Sequence, residues 1–151
     1  MMQKREGLRL AKALRRSGAK PQRLQDEKRI EQDLKEKSQK LLRRIRPGLA
    51  LWRNDERLGQ QLVCPEAGGR IDLLFTTPGD RTFVVVELKV VPATAATFGQ
   101  VSSYVGWVRQ HLAKGRRVVG VVVAKSATAA FDACLKSNRD ISFISLEALG
   151  Y

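Results

Sequence analysis

The chain has 151 residues, 43% of them hydrophobic and 28% charged, with a formal net charge of +13 at pH 7. That length suits one domain with a real core, and no apolar stretch approaches the ~20 residues of a membrane-spanning helix. The Arg/Lys-studded start lacks the apolar centre of a secretory signal. Two cysteines, Cys64 and Cys134, are too few and too far apart for a zinc or redox motif, so a cytoplasmic protein with reduced thiols is expected.

The charge is unevenly spread. Residues 1–46 hold sixteen Lys/Arg against six Asp/Glu, and residues 47–151 hold twelve against nine. A polyanion-binding arm on a nearly neutral domain has this pattern. A solubilising tail, an anionic membrane surface or RNA is compatible with the same charge. Nucleic acid, with no membrane partner, is preferred because the chemistry of residues 72–89 points the same way.

Residues 1–26 read as a basic arm, flexible or ordered on a partner, in which Gly7, Gly18 and Pro21 limit helix length. Its Lys4, Arg5, Arg9, Lys12, Arg15 and Arg16, with Arg70 further on, are the candidate nucleic-acid contacts. Residues 27–151 are expected to form the folded domain. An amphipathic helix is predicted from Gln25 to Arg46, with Ile30, Leu34, Leu41, Leu42 and Ile45 on one stripe and Pro47-Gly48 ending it. Glu31 falls about 50° from the centre of that stripe, where a carboxylate can lean toward a sheet. Most residues so placed are solvated, and Glu27 is a rival.

A strand is predicted around Gln60–Cys64. Two further β-like runs follow, Gly69-Arg-Ile-Asp-Leu-Leu-Phe75 and Phe83-Val-Val-Val-Glu-Leu-Lys-Val90, separated by Pro78-Gly79-Asp80, which is strong turn punctuation. They read as an antiparallel hairpin closed by Thr77 facing Thr82. In that register Asp72 lies opposite Glu87 on one sheet face, with Cα atoms about 4.5–5.5 Å apart. Lys89 shares the face, two residues on.

Two carboxylates and an ammonium in a Val-rich strand pair are costly to bury, the two carboxylates repel each other, and a divalent cation cancels that repulsion. The bland alternative is a solvated cross-strand cluster. The unbroken apolar runs Leu73–Phe75 and Val84–Val86 count against it, because they imply that both sheet faces are covered.

After the hairpin, a helix capped by Thr97 or a near neighbour is predicted to run to about Ala113, with Phe98, Val101, Val105, Val108 and Leu112 as its core stripe. Gln100 and Tyr104 share a second line with Trp107 and His111. For Trp107 and His111 an ordinary place at the rim of the core is preferred. Arg117–Ala124 reads as a buried central strand, Ala127–Ser137 as a short helix, and Ile141–Leu146 as a last strand. The order is α-β-β-β-α-β-α-β, an α/β (α+β) domain with a mixed central sheet flanked by helices.

An Asp on one strand, Glu-Leu-Lys on the next and a Gln-bearing helix after it resemble the PD-(D/E)XK nuclease superfamily, with its restriction-endonuclease-like core. Gly69-Arg-Ile-Asp-Leu-Leu, Val85-Val-Glu-Leu-Lys and Gly99-Gln-Val-Ser-Ser-Tyr-Val-Gly-Trp-Val are similar to the catalytic domain of the NucS/EndoMS endonucleases. So are Glu31-Gln-Asp-Leu34 and Arg46-Pro-Gly-Leu49. The resemblance covers roughly residues 28–146.

It implies a metal-dependent endonuclease acting on DNA. Asp72, Glu87 and the Leu88 carbonyl would hold Mg²⁺ or Mn²⁺, Lys89 would be the catalytic lysine, and Glu31, Gln100 and Tyr104 would be further active-site residues. Two departures stand out. Only a short basic arm occupies the place of the family's N-terminal dimerisation and DNA-binding domain, so mismatch or branch specificity is not implied and a homodimer stays open. Val90 stands where a basic residue often follows Glu-x-Lys. The alternatives are a nuclease-fold DNA-binding module without cleavage, and a nuclease toxin or phage enzyme.

Overall fold

The computed structural model describes residues 19–36 and 38–151. Helices α1 (Ala19–Glu36) and α2 (Ser38–Ile45) lead into strands β1 (Ala50–Leu51), β2 (Gln60–Cys64), β3 (Gly69–Thr76) and β4 (Thr82–Lys89). Helix α3 (Ala95–His111), β5 (Arg117–Ala124), α4 (Ala129–Lys136) and β6 (Ile141–Ser145) follow. The sheet runs β1-β3-β4-β5-β6, and β2 pairs with β3 on the same side as β1. Pairs within β1–β4 are antiparallel, whereas β4–β5 and β5–β6 are parallel, as two strand–helix–strand crossovers require.

The unbroken Val runs predict a sheet buried on both faces, and it is. Thr82–Leu88 and Val118–Ala124 are buried without interruption. One face packs under α3 and α4 around Phe83, Val85, Val101, Tyr104, Val105, Val122 and Phe131. The other packs under α1 and α2 around Ile30, Leu34, Leu42, Phe75, Val84, Val86 and Val121.

Two expectations change at the N-terminal end. The helix predicted over residues 25–46 corresponds to α1 and α2, and α1 already includes residues 19–24. Pro21 falls in the first turn of α1, where a backbone N–H needs no helical partner. The helix therefore passes through the boundary drawn at residues 26 and 27. Helix α2 is fastened separately, through Leu42 in the core and Arg44 Nη1 donating to Ala148 O at 2.9 Å. The two-residue strand β1 is an addition to the predicted order.

Elsewhere the elements match to within a few residues. Helix α3 is capped by Thr94, whose hydroxyl accepts the Thr97 N–H while Thr97 Oγ1 accepts the Thr94 N–H, closing a capping box. The loop before it is pinned to the β5–α4 loop by Ala93 N–H donating to Ser126 O and Thr128 N–H donating to Ala93 O.

Helix α3 lies close on the sheet because β5 carries Gly120. A Cβ there would sit 2.7 Å from Val101 Cγ1 and 3.1 Å from Val105 Cγ2. Gly120→Ala is therefore expected to lower the unfolding free energy by about 1–3 kcal/mol, the usual cost of overpacking. Chemical denaturation checks it, and an unchanged midpoint would mean that α3 has slack against β5.

Candidate active site

The hairpin register is the expected one: Leu73 faces Val86, Leu74 faces Val85, Phe75 faces Val84 and Thr76 faces Phe83. Thr77 N–H donates to Thr82 O at 3.0 Å. Every second pair from there is hydrogen-bonded in an antiparallel ladder, so the Leu88 N–H is due to reach Ile71. It donates instead to Asp72 Oδ2 at 2.8 Å. The pairing ends at Leu73, and the alternation of β3 slips at the same point, with Ile71 packed on the α3 side and Leu73 on the α1 side. Asp72 thus replaces a backbone carbonyl and opens the strand pair at its own position.

Glu87 stands at this opening, 2% exposed. Its Oε1 lies 3.5 Å from Lys89 Nζ. Its Oε2 is, among the described residues, a buried side-chain oxygen with no hydrogen-bond partner. Burial pushes the Glu87 carboxyl well above the usual carboxylate range, the Asp72 charge adds to the shift, and Lys89 opposes it. Burial likewise raises Asp72; the Leu88 N–H pulls it back, Glu31 adds repulsion, and Gln61 and Lys89 oppose that. Lys89 keeps 29% of its side chain exposed, so its ammonium bridges the buried pair and solvent.

Glu31 comes to the same place from α1. It is 5% exposed, and its Oε2 accepts a hydrogen bond from Gln61 Nε2 at 2.8 Å. The same Nε2 donates to Asp72 Oδ1 at 3.2 Å. Glu27, the rival, accepts the Val90 N–H at 3.2 Å, so both acids of α1 face the end of the hairpin. A cleft of about 500 Å³ opens here, lined among others by Glu31, Gln61, Asp72 and the exposed Arg70.

A second cleft, of about 570 Å³, is lined by Lys89, Gly68, Gln100 and Tyr104. Gln100 Nε2 donates to the Tyr104 hydroxyl at 3.0 Å. Tyr104 is buried, which raises its pKa against the opposing Gln100 hydrogen bond. Its hydroxyl reaches β3 only because residue 69 is glycine: a Cβ there would lie 2.3 Å from it. Glu31, Arg70 and Asp72 thus line one cleft, Lys89, Gln100 and Tyr104 line the other, and Glu87 pairs with Lys89.

Trp107 is a core residue, as preferred, with its indole N–H donating to Glu66 Oε2 at 2.6 Å and its ring against His111. Lys4, Arg5, Arg9, Lys12, Arg15 and Arg16 lie outside the described residues. Gln61 was not among the predicted site residues. The signal for it was the polar Gln60-Gln61 pair opening a strand that pairs with Asp72's own.

The donor chemistry fits a hard divalent cation. Asp72, Glu87 with its unpartnered Oε2, and the Leu88 carbonyl offer oxygens alone. Among the described residues no group of three or more His, Cys, Asp and Glu side chains is arranged to hold a metal. Mg²⁺ sites commonly use only one or two carboxylates, with water filling the rest.

A mixed sheet with helices on both faces is consistent with a nuclease-like fold, and solved structures share that fold. A repair endonuclease from Pyrococcus abyssi superposes with a TM-score of 0.56 at 22% identity, over 70% of this chain and 41% of that one. EndoMS in complex with double-stranded DNA gives 0.55 at 24%, over 77% and 44%, and EndoMS in its apo form gives 0.57 at 23%, over 80% and 45%. The chain therefore spans less than half the length of these proteins, and at these identities the likeness is one of fold. No family model and no curated protein matches the sequence. Among the described residues no helix is long and apolar enough to cross a membrane.

The raised carboxyls set a pH dependence. Glu87 moves from an ordinary 4.5 to about 8 and Asp72 from 3.8 to about 6. Between those values the folded chain holds protons that the unfolded chain has released, so rising pH favours unfolding. The metal-free protein should lose stability from about pH 4 to pH 8, and Glu87→Gln should flatten the fall. Denaturation midpoints in chelator across that range check it; a rising profile in the unmodified chain would contradict burial of the pair.

Proposed function

We propose that the chain is a metal-dependent endonuclease hydrolysing DNA phosphodiester bonds at the open end of the β3–β4 ladder. The observation that carries this is the Glu87 carboxylate, buried beside Asp72 with one oxygen left unpartnered. A purely structural carboxylate pair in that position is all cost. Asp72, Glu87 and the Leu88 carbonyl would hold the cation.

When bound, Mg²⁺ or Mn²⁺ supplies positive charge at the phosphate and makes water more acidic. Lys89, reaching from Glu87 toward solvent, would orient the attacking water and offset the negative charge that builds on the phosphate. Glu31 would hold water on the α1 side of the site. Gln100, hydrogen-bonded to Tyr104, would present its amide to the substrate in the second cleft. Arg70 and the basic arm would contact the phosphate backbone, adding salt-sensitive affinity with little sequence readout. DNA is chosen over RNA because one protein with this fold was solved on double-stranded DNA.

The deciding assay offers labelled duplex, single-stranded, branched and RNA substrates to the purified protein with Mg²⁺, with Mn²⁺ and with chelator. Asp72→Ala and Glu87→Ala should each abolish cleavage while the fold and most DNA affinity persist. Full activity in both variants would put the active site elsewhere, and binding without cleavage in the unmodified protein would make it a DNA-binding module. Lys89→Ala should slow cleavage by roughly 10²–10³-fold, the usual cost of losing a charge-stabilising group. Metal binding should survive in it, since an ammonium is no ligand; calorimetry that shows metal lost as well would reassign Lys89.

Residues 1–18 carry six Lys/Arg against one Glu. Removing them should weaken DNA binding and shallow the log–log salt slope by about 0.9 for every phosphate that is no longer neutralised. Coinciding slopes for full-length and truncated protein on one duplex would leave the arm's charge to another partner.

A further inference from the structure

Gln61 has a backbone that glutamine rarely adopts. Its φ is +48°, and among the described residues the only other non-glycine with positive φ is Lys114, in the turn before Gly115. Gln61 by contrast sits inside β2, between Gln60, which faces Leu73, and Leu62, which faces Ile71. A left-handed residue in a strand is unfavourable for any side chain with a Cβ, and glycine would take it without strain. Such strain persists where the side chain is needed in one place.

That place is between two acids. One amide nitrogen of Gln61 donates to Glu31 Oε2 at 2.8 Å and to Asp72 Oδ1 at 3.2 Å. These acids come from α1 and β3, elements joined by no short loop. The other Asp72 oxygen is held by the Leu88 N–H at 2.8 Å. Both oxygens of Asp72 are thus fixed by N–H donors, one from β4 and one from β2, and its remaining lone pairs have a set direction. The amide also puts two partial positive charges between like-charged groups. An ammonium there would instead form an ion pair and compete with a cation for Asp72.

We infer that Gln61 is a positioning residue of the site: its amide ties Glu31 to Asp72 and aims the Asp72 carboxylate at the cation position. The inference rests on the metal-dependent nuclease proposed above. Its role is to hold a ligand, as hydrogen-bonding partners behind metal ligands do, and their removal commonly costs 10–100-fold in metal affinity.

A merely structural role predicts something different. Gln61→Gly removes the amide and relieves the backbone together, so its unfolding midpoint should stay near that of the unmodified chain. Gln61→Met keeps the side-chain length without donors. Both variants, measured by calorimetry with Mn²⁺ on the full chain without DNA, should bind the metal at least about tenfold more weakly. The side-chain amide resonance of Gln61, identified by its absence from the Gln61→Gly spectrum, should shift on Glu31→Gln, on Asp72→Asn and on adding Mg²⁺.

If the unmodified protein binds Mn²⁺ and both variants bind it equally well, Gln61 does not position the site, and the proposed activity still stands. An amide resonance indifferent to both acid substitutions overturns the bridge in the same way. Absence of Mn²⁺ binding in the unmodified protein overturns the metal-dependent activity and this role together.

Discussion

The buried Glu87 carboxylate beside the half-buried Asp72 carboxylate, with only the Lys89 ammonium among the described residues to offset their charge, is the constraint around which this domain is arranged. Asp72 and Glu87 repel each other and both are desolvated. The surrounding groups offset part of that cost: the Leu88 N–H and the Gln61 amide on Asp72, and the Lys89 ammonium on Glu87. The offset is incomplete, as the raised carboxyls and the orphaned Glu87 oxygen both indicate. A hard cation is the group that would complete it.

Holding such a pair in place takes a sheet that cannot relax around it. Strands β4 and β5 are buried on both faces, so neither can tilt to carry the acids into water. Gly120 lets α3 press on β5, and Gly69 lets the Tyr104 hydroxyl reach the start of β3. The loop leaving β4 is fastened through Ala93 to the β5–α4 loop. Packing thus converts a carboxylate pair that would separate in solution into a fixed feature at one end of the sheet.

The same acids create a problem of access that the two clefts make visible. A phosphodiester, the substrate proposed above, would meet negative charge at Asp72, Glu87 and Glu31, against which the nearby side chains set Arg70 on one side and Lys89 on the other. A cation held by the acids would reverse the sign of the centre while leaving the positive rim in place. The charge of residues 1–46 would act at longer range, drawing in a polyanion without specifying its sequence.

Much of this was legible in the amino-acid sequence, because it depends on neighbours in the chain. Pro78-Gly79 and the paired threonines around it set the hairpin register that brings Asp72 toward Glu87, and the Val runs declared a sheet covered on both faces. Local patterning also delimited α3, β5 and α4. It could not show that Ala50–Leu51 would form a strand, since that depends on finding the edge of β3 to pair with. Nor could it show that the ladder opens at Asp72, that Glu31 rather than a solvated face meets the sheet, or that Gln61 would leave the strand conformation to bridge them. Glu31 and Gln61 are thirty residues apart, and their hydrogen bond exists only because α1 docks across β2 and β3. Residue types and their spacing determine which groups the site can contain; packing between distant segments decides which of their atoms meet, and which one is left without a partner.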